Sequence, residues 1–348
     1  MGHFRLHHQP SPEGNWAIIM DESVTVGQSK LLLTLGVDLS RFSFEHSLTN
    51  QDVEVLDLAV ARSWKGEDIA DRIEALQGKG YQIEYGVSDQ GHNLVKAFDI
   101  SGLRRISDCT HALSKAVEKC YKDEESFTQF SRECVAFKRK IILSAWAFLI
   151  PPTQKSKARF LNLHTLSAWA SQTLKRFEKI KNRKKWEPVR EKIAWIKAYQ
   201  PLIEQLDQVC QTIRQIFAIL KPKGLNTHTA TICQKILGKS QTPAAFKDHI
   251  HSYLKENLAK ASPFTQVIAS SDVIESTFGK FKHRQPDNPS LGITIGVLTI
   301  PNFGKKASLS LVKKAMESTP IQLIHQWKDE NLINPMKNHW SEKWAKIR

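Results

Sequence analysis

Residues 81–113 read YQIEYGVSDQGHNLVKAFDISGLRRISDCTHAL. Ile83 to Val87 form a short apolar run of strand length and strand composition. The run stops at Ser88-Asp89-Gln90-Gly91, where Gly91 permits a sharp turn. Asp89 is thereby expected at the C-terminal lip of a buried strand, where open α/β sheets carry their chemistry. Further on, Arg105-Ile106-Ser107 leads into Asp108-Cys109-Thr110-His111 and an amphipathic helix.

Working back from this stretch, Trp16 to Met20 (WAIIM) reads as a strand that stops at Asp21. Val26-Gly27-Gln28-Ser29 turns the chain, Lys30 to Asp38 returns as a second strand, and Val53 to Ala61 reads as a third. Glu67 to Leu76 is a short amphipathic helix ended at Gly78 and Gly80. A right-handed crossover through that helix brings strand 82–88 beside strand 16–20, in parallel. Asp21 and Asp89 would then emerge at the same end of the sheet. Residues 1–14 are polar, so they and His3, His7 and His8 are expected in a disordered terminus rather than a metal site.

Downstream the character changes. Leu202, Ile203, Leu206, Val209, Ile213, Ile216, Phe217 and Leu220 recur at helical spacing, and similar stripes occupy 127–149, 158–181, 189–199 and 244–259. Within 151–200, thirteen Lys and Arg stand against three acidic residues, which marks this module as the basic part of the chain. The α/β pattern returns near 264 with a short helix, 272–282, carrying Glu275. Residues 291–300 fit a strand or a packed helix equally, and a helix at 307–318 and a basic tail with Trp340 and Trp344 follow. The expected division is a disordered terminus at 1–14, a core at 15–122, a helical insertion at 123–262, and a second core segment with a basic tail at 263–348.

The totals narrow the function. A hydrophobic content of 41% supports a globular core, and a net charge of +15 points to a polyanionic partner, nucleic acid before anionic membrane. The five Cys include no CxxC pair, which argues against a zinc ribbon or a disulfide frame and for reduced thiols. No apolar run reaches membrane-spanning length and no signal peptide is evident, so a soluble cytoplasmic protein is expected.

Three acids stand in related contexts: Asp21 and Asp89 after apolar strands, and Glu275 on a helix between Ile274 and Ser276. Hard cations such as Mg²⁺ or Mn²⁺ take oxygen ligands, and a pair of them can activate an attacking oxygen and stabilise a leaving one. Carboxylates crowded within about 4 Å repel by several kcal/mol at an effective dielectric near 20, a repulsion that bound metal relieves.

The segments MDESVTVGQSKLLLTLGVD, YGVSDQGHNL, SDCTHAL and VIESTFGKFK resemble the core motifs of DDE transposases. The resemblance implies an α/β, RNase H-like mixed sheet flanked by helices and interrupted by a large all-helical insertion domain. It maps the catalytic and metal-binding acids to Asp21, Asp89 and Glu275, with two Mg²⁺ or Mn²⁺ ions. The 185 positions between Asp89 and Glu275 match members with a helical insertion, such as the hAT superfamily. Asp108-Cys109-Thr110-His111 resembles their [C/D]xxH motif, which makes His111 a candidate for the scissile phosphate; a helix-start His bonded to Asp108 is the alternative. The resemblance further implies transposon-end and target DNA as partners, hydrolysis followed by strand transfer, a homo-oligomer on DNA, and residence at a bacterial nucleoid. Only twenty residues precede Asp21, so a site-specific N-terminal DNA-binding domain is not expected in this sequence.

Cations complete the set of candidates. Lys280, Lys282 and Arg284 follow Glu275 and are candidates for phosphate near the cleavage point. Lys181, Arg183, Lys184 and Lys185 precede Trp186, and a basic groove with an aromatic holds unpaired or flipped bases. Two rival readings stay open: an inactive, transposase-derived DNA-binding protein, and a structure-selective nuclease.

Overall fold

The computed structural model describes residues 1–9, 11–22, 29–153, 160, 163–284, 293–304 and 306–332. The turn at 26–28, residues 291–292 and the tail with Trp340 and Trp344 lie outside them. In chain order the elements are α1 (Gly2–His7), β1 (Asn15–Glu22), β2 (Lys30–Asp38), β3 (Glu54–Ala61), α2 (Gly66–Gly78), β4 (Gln82–Ser88), α3 (His92–Ser101), β5 (Arg105–Ser107) and α4 (Cys109–Tyr121). Helices follow: α5 (Glu125–Ile141), α6 (Leu163–Ile180), α7 (Glu187–Ile193), α8 (Gln200–Lys223), α9 (Thr227–Lys239) and α10 (Ala244–Ala261). The chain then runs through α11 (Asp272–Arg284), a 3₁₀ stretch at Ile295–Asn302, α12 (Leu309–Ser318) and α13 (Ile321–Asn331).

Two compact units result: Met1–Asp108 with Lys221–Gly224 and Lys260–Arg348, and Cys109–Leu220 with Leu225–Ala259. The first holds a five-stranded sheet of order β3-β2-β1-β4-β5. Strand β2 is antiparallel to β1 and β3, while β4 is parallel to β1 and to β5. With β2 alone reversed, this is the RNase H-like mixed sheet, and the second unit is helical throughout its described elements. The boundary falls at Asp108/Cys109 rather than at 122/123, because α4 clusters with the helices.

The strands are legible because they are covered on both faces. Trp16 to Met20 and Leu31 to Leu33 are buried without alternation, as expected of a central sheet packed between layers. On one face Trp16, Ile18, Met20 and Leu32 pack with Ile69, Ile73 and Leu76 of α2 and Leu94 and Phe98 of α3. On the other face α11 packs against β1, and the Tyr85 ring lies 5.1 Å from Phe264.

Sequence periodicity does not foresee the register of β4. Trp16 pairs with Ile83 but Ala17 pairs with Tyr85, so a residue is inserted at Glu84. Ile83 lies with the α2–α3 core, whereas Tyr85 and Val87, opposite Ala17 and Ile19, face the other side. A bulge exchanges the faces of all that follows it. Gly86, now towards α3, sits where a Cβ would run into the Phe98 ring.

Two expectations are corrected and one open reading is decided. The terminus at 1–14 is not disordered throughout: Gly2–His7 is a helix with His3 and Phe4 buried, packed on the 295–302 stretch and tied there by Arg5 Nη1 donating to the Pro301 carbonyl at 3.1 Å. Of the run at 291–300, which by sequence fits strand or helix equally, Ile295 onward is 3₁₀ helix. Strand β1 runs on to Glu22, so Asp21 is a strand residue, opposite Leu33 of β2.

In the helical unit, α5 opens on Glu124, whose carboxylate accepts the Phe127 N–H at 2.6 Å, and Asn226 opens α9 with a reciprocal box to Thr229. Phe137, Ile141, Leu149, Phe177 and Ile193 form a small core with Trp146, Trp169 and Trp195 packed against it. Burial pushes the thiols of Cys134 and Cys233 up to about 12 and that of Cys210 to about 11, so these three sit as neutral apolar groups.

Candidate active site and nucleic-acid interface

The β1–β4 ladder gives the backbone positions of two of the acids. The last pair of the β1–β4 ladder is Met20↔Ser88, so Asp21 and Asp89 are the next positions on strands about 4.8 Å apart. Because of the bulge, both continue the face of Ile19 and Val87, the face that α11 covers. Without the extra residue at Glu84, Asp89 would continue the opposite face. Glu22, one residue on from Asp21, pairs with Lys30 at 3.1 Å.

Asp89 is held by three hydrogen bonds at two atoms. Its Oδ1 accepts the Gly91 N–H at 2.7 Å, which closes the turn into α3. Its carbonyl oxygen accepts from Arg105 Nη1 at 3.0 Å and from Ser88 Oγ at 2.9 Å. Gly91 sits so close that a Cβ there would stand 2.9 Å from Asp89 Oδ1.

The helix that carries Glu275 is tied at its start to the end of β4 through Asp108. The Asp108 N–H donates to the Ser88 carbonyl at 2.9 Å, and Asp108 Oδ1 accepts the Ser271 N–H at 2.7 Å. Ser271 immediately precedes α11, so a carboxylate with 1% exposure joins the end of β4 to the start of the Glu275 helix. Lys221 pairs with Asp272 in the first turn. Lower down, Asn50 donates to Thr277 Oγ1 at 2.8 Å and accepts from Lys280 Nζ at 2.9 Å. Val273, Ile274, Thr277, Phe278 and Phe281 are buried, while Glu275 and Lys282 are exposed.

Carboxylate oxygens are the donors that hard divalent cations take, so residue type and backbone placement fit such ions. As the side chains stand, no three His, Cys, Asp or Glu among the described residues form a ligand group.

The remaining candidates divide. His111 is on α4, which belongs to the helical unit. Lys280 is engaged by Asn50, and the Arg284 guanidinium lies 4.7 Å from the centre of the Phe303 ring. In the helical unit Lys181 pairs with Glu178 at 2.7 Å, and Arg190 with Glu187 at 2.7 Å. Arg183, Lys184 and Lys185 are exposed beside Trp186, which is 42% exposed, unlike the packed Trp146, Trp169 and Trp195.

Sequence reasoning missed the bulge and the strut role of Asp108. For Asp108 a signal existed, an acid between a short strand and a helix start, but its partner lies 163 residues away.

No family model and no curated protein matches the chain. Among solved structures it is similar to the Drosophila P element transposase strand transfer complex, at 12% identity, with 87% of this chain and 79% of that chain covered and a TM-score of 0.42. No helix among the described residues is long and apolar enough to cross a membrane.

Proposed function

We propose that the chain is a DNA transposase of the DDE type, with Asp21, Asp89 and Glu275 as metal-binding and catalytic acids. The observation that supports this is the parallel β1–β4 ladder, whose last pair, Met20↔Ser88, is followed on the two strands by Asp21 and Asp89. When bound there, Mg²⁺ or Mn²⁺ ions supply charge stabilisation for phosphodiester hydrolysis and strand transfer. The chain's own contribution is placement: Gly91, Ser88 and Arg105 fix Asp89, and Asp108 fixes the start of the Glu275 helix.

DNA as substrate is supported by the +15 charge and by the exposed Arg183-Lys184-Lys185-Trp186 run. His111, Lys282 and Arg284 are assigned to phosphate contacts near the cleavage point, and the working form is a homo-oligomer on DNA in a bacterial cytoplasm. The test is Mg²⁺-dependent nicking of end-bearing and pre-nicked DNA by wild type and by Asp21→Asn and Glu275→Gln. Both variants are expected to fall by more than a hundredfold while still binding DNA. Full activity in either would remove that residue from the site.

A further inference from the structure

The helical unit carries an apolar tip that its sequence does not announce. Its exposed large hydrophobics among the described residues are Val135, Ile142, Leu143, Phe148 and Trp186. All five lie on segments whose buried residues, Phe137, Ile141, Leu149, Phe177 and Ile193, make one small core. Leu143 is 99% exposed and Phe148 66%, in the short connection after α5. Phe148 leans on Trp146, ring centres 6.3 Å apart. Cations accompany it: Arg139 and Lys140 end α5 shortly before Leu143 and are exposed, and Lys184 and Lys185, between the helices that give Phe177 and Ile193 to this core, are exposed as well. None of these four forms an ion pair among the described residues.

We infer that Leu143 and Phe148 form an apolar wedge that enters the base stack of unpaired or distorted DNA, with the flanking cations on its phosphates. The inference rests on the reading of this unit as DNA-binding, and is independent of the three-carboxylate chemistry. Exposed apolar side chains beside cations that form no ion pair among the described residues match a partner that offers both apolar ring faces and phosphate, as a locally opened duplex does. A second copy is a poor occupant, because pairing this tip with itself would bring Arg139, Lys140 and the 184–185 lysines against like charge. An anionic membrane offers the same pairing of apolar matter and phosphate, and vesicle binding in the experiment below separates it from DNA.

The experiment compares wild type, Leu143→Ser/Phe148→Ser and Lys184→Glu/Lys185→Glu. Fluorescence anisotropy is read on a paired duplex and on the same duplex carrying a short internal bubble. A second readout is the emission of 2-aminopurine placed in the bubble. Wild type is expected to prefer the bubble and quench 2-aminopurine. The Leu143→Ser/Phe148→Ser protein should bind the bubble roughly tenfold more weakly, lose the quench, and bind the duplex unchanged. The charge variant should lose affinity for both. Since both wedge residues are exposed, melting should not move; Leu143→Ala/Phe148→Ala provides the same test if the Ser variant melts early. Wild-type affinity for both DNAs in the wedge variants overturns the inference while leaving the DNA reading standing. Absence of DNA binding by wild type overturns both. Loss of self-association, or of binding to phosphatidylserine vesicles, with DNA binding intact assigns the tip to another partner and overturns it as well.

Discussion

The two candidate surfaces are held together in opposite ways. In the sheet unit the site hangs on bonds between distant segments: Asp108 to Ser271, Tyr85 Oη accepting the Ile268 N–H at 3.0 Å, and Asn50 to Thr277. In the helical unit the polar contacts of the basic stretch are local, Lys181 to Glu178 and Arg190 to Glu187, each three residues apart. The first arrangement fixes geometry and is intolerant of change. The second displays charge and is tolerant. An active centre and a binding surface ask for those two properties respectively.

The contrast would break first at Gly224, which belongs to the sheet unit. Its φ is +59°, and a Cβ there would run into the Val267 carbonyl oxygen and the Phe44 ring. Gly224→Ala is expected to lower unfolding free energy by about 3 kcal/mol, from strain and overpacking together. A urea melt that does not move would mean the segment at 221–224 is not held as described.

Asp108→Ala should come next, at about 2 kcal/mol, because it leaves the buried Ser271 N–H without its acceptor. Hydrogen exchange should rise first at the start of α11, while β1 and β2 stay protected. Uniform loss of protection would deny that Asp108 acts locally.

Charge reversal in the helical unit should do the opposite. Lys184→Glu with Lys185→Glu is expected to change stability by less than about 0.5 kcal/mol. The slope of log affinity for DNA against log salt should fall by about one for each phosphate that is no longer neutralised. A large drop in melting temperature would make these lysines structural and erase the contrast.

The smallest effect concerns acid. Burial raises the Asp52 carboxyl, but hydrogen bonds from Thr49 and the His46 ring outweigh it and hold it below its ordinary value. Asp52 therefore adds stability above the unfolded carboxyl's 3.8, lost as pH falls below that value. Asp52→Asn should show a slightly shallower acid limb in thermal melts between pH 5 and pH 2, buffers taken as roughly spanning the range where carboxylates titrate.

What was legible in the sequence follows the same divide. Lys30–Asp38 and the strand before Asp89 could be read because doubly covered strands are continuous apolar runs, and helices of the second unit show in their 3.6-residue stripes. The basic 181–186 run is a local fact of composition. By contrast, the Glu84 insertion alters no residue pattern; it exists only in the pairing with β1. Asp108 looks like any helix-start acid until Ser271 is brought to it. Strand β5 has three residues, too short for periodicity, and Leu143 and Phe148 lie within an apolar run that reads as core.

The central claim is that Asp21, Asp89 and Glu275 act together on a divalent ion, and Asp89→Asn tests it most directly. The substitution keeps size and the Gly91 hydrogen bond but removes the charge that a hard cation needs. Mn²⁺ binding followed by electron paramagnetic resonance, together with nicking of end-bearing DNA, should be strong in wild type and absent in Asp89→Asn, with both proteins melting alike. Equal Mn²⁺ binding and equal nicking in the two proteins would contradict the three-carboxylate site.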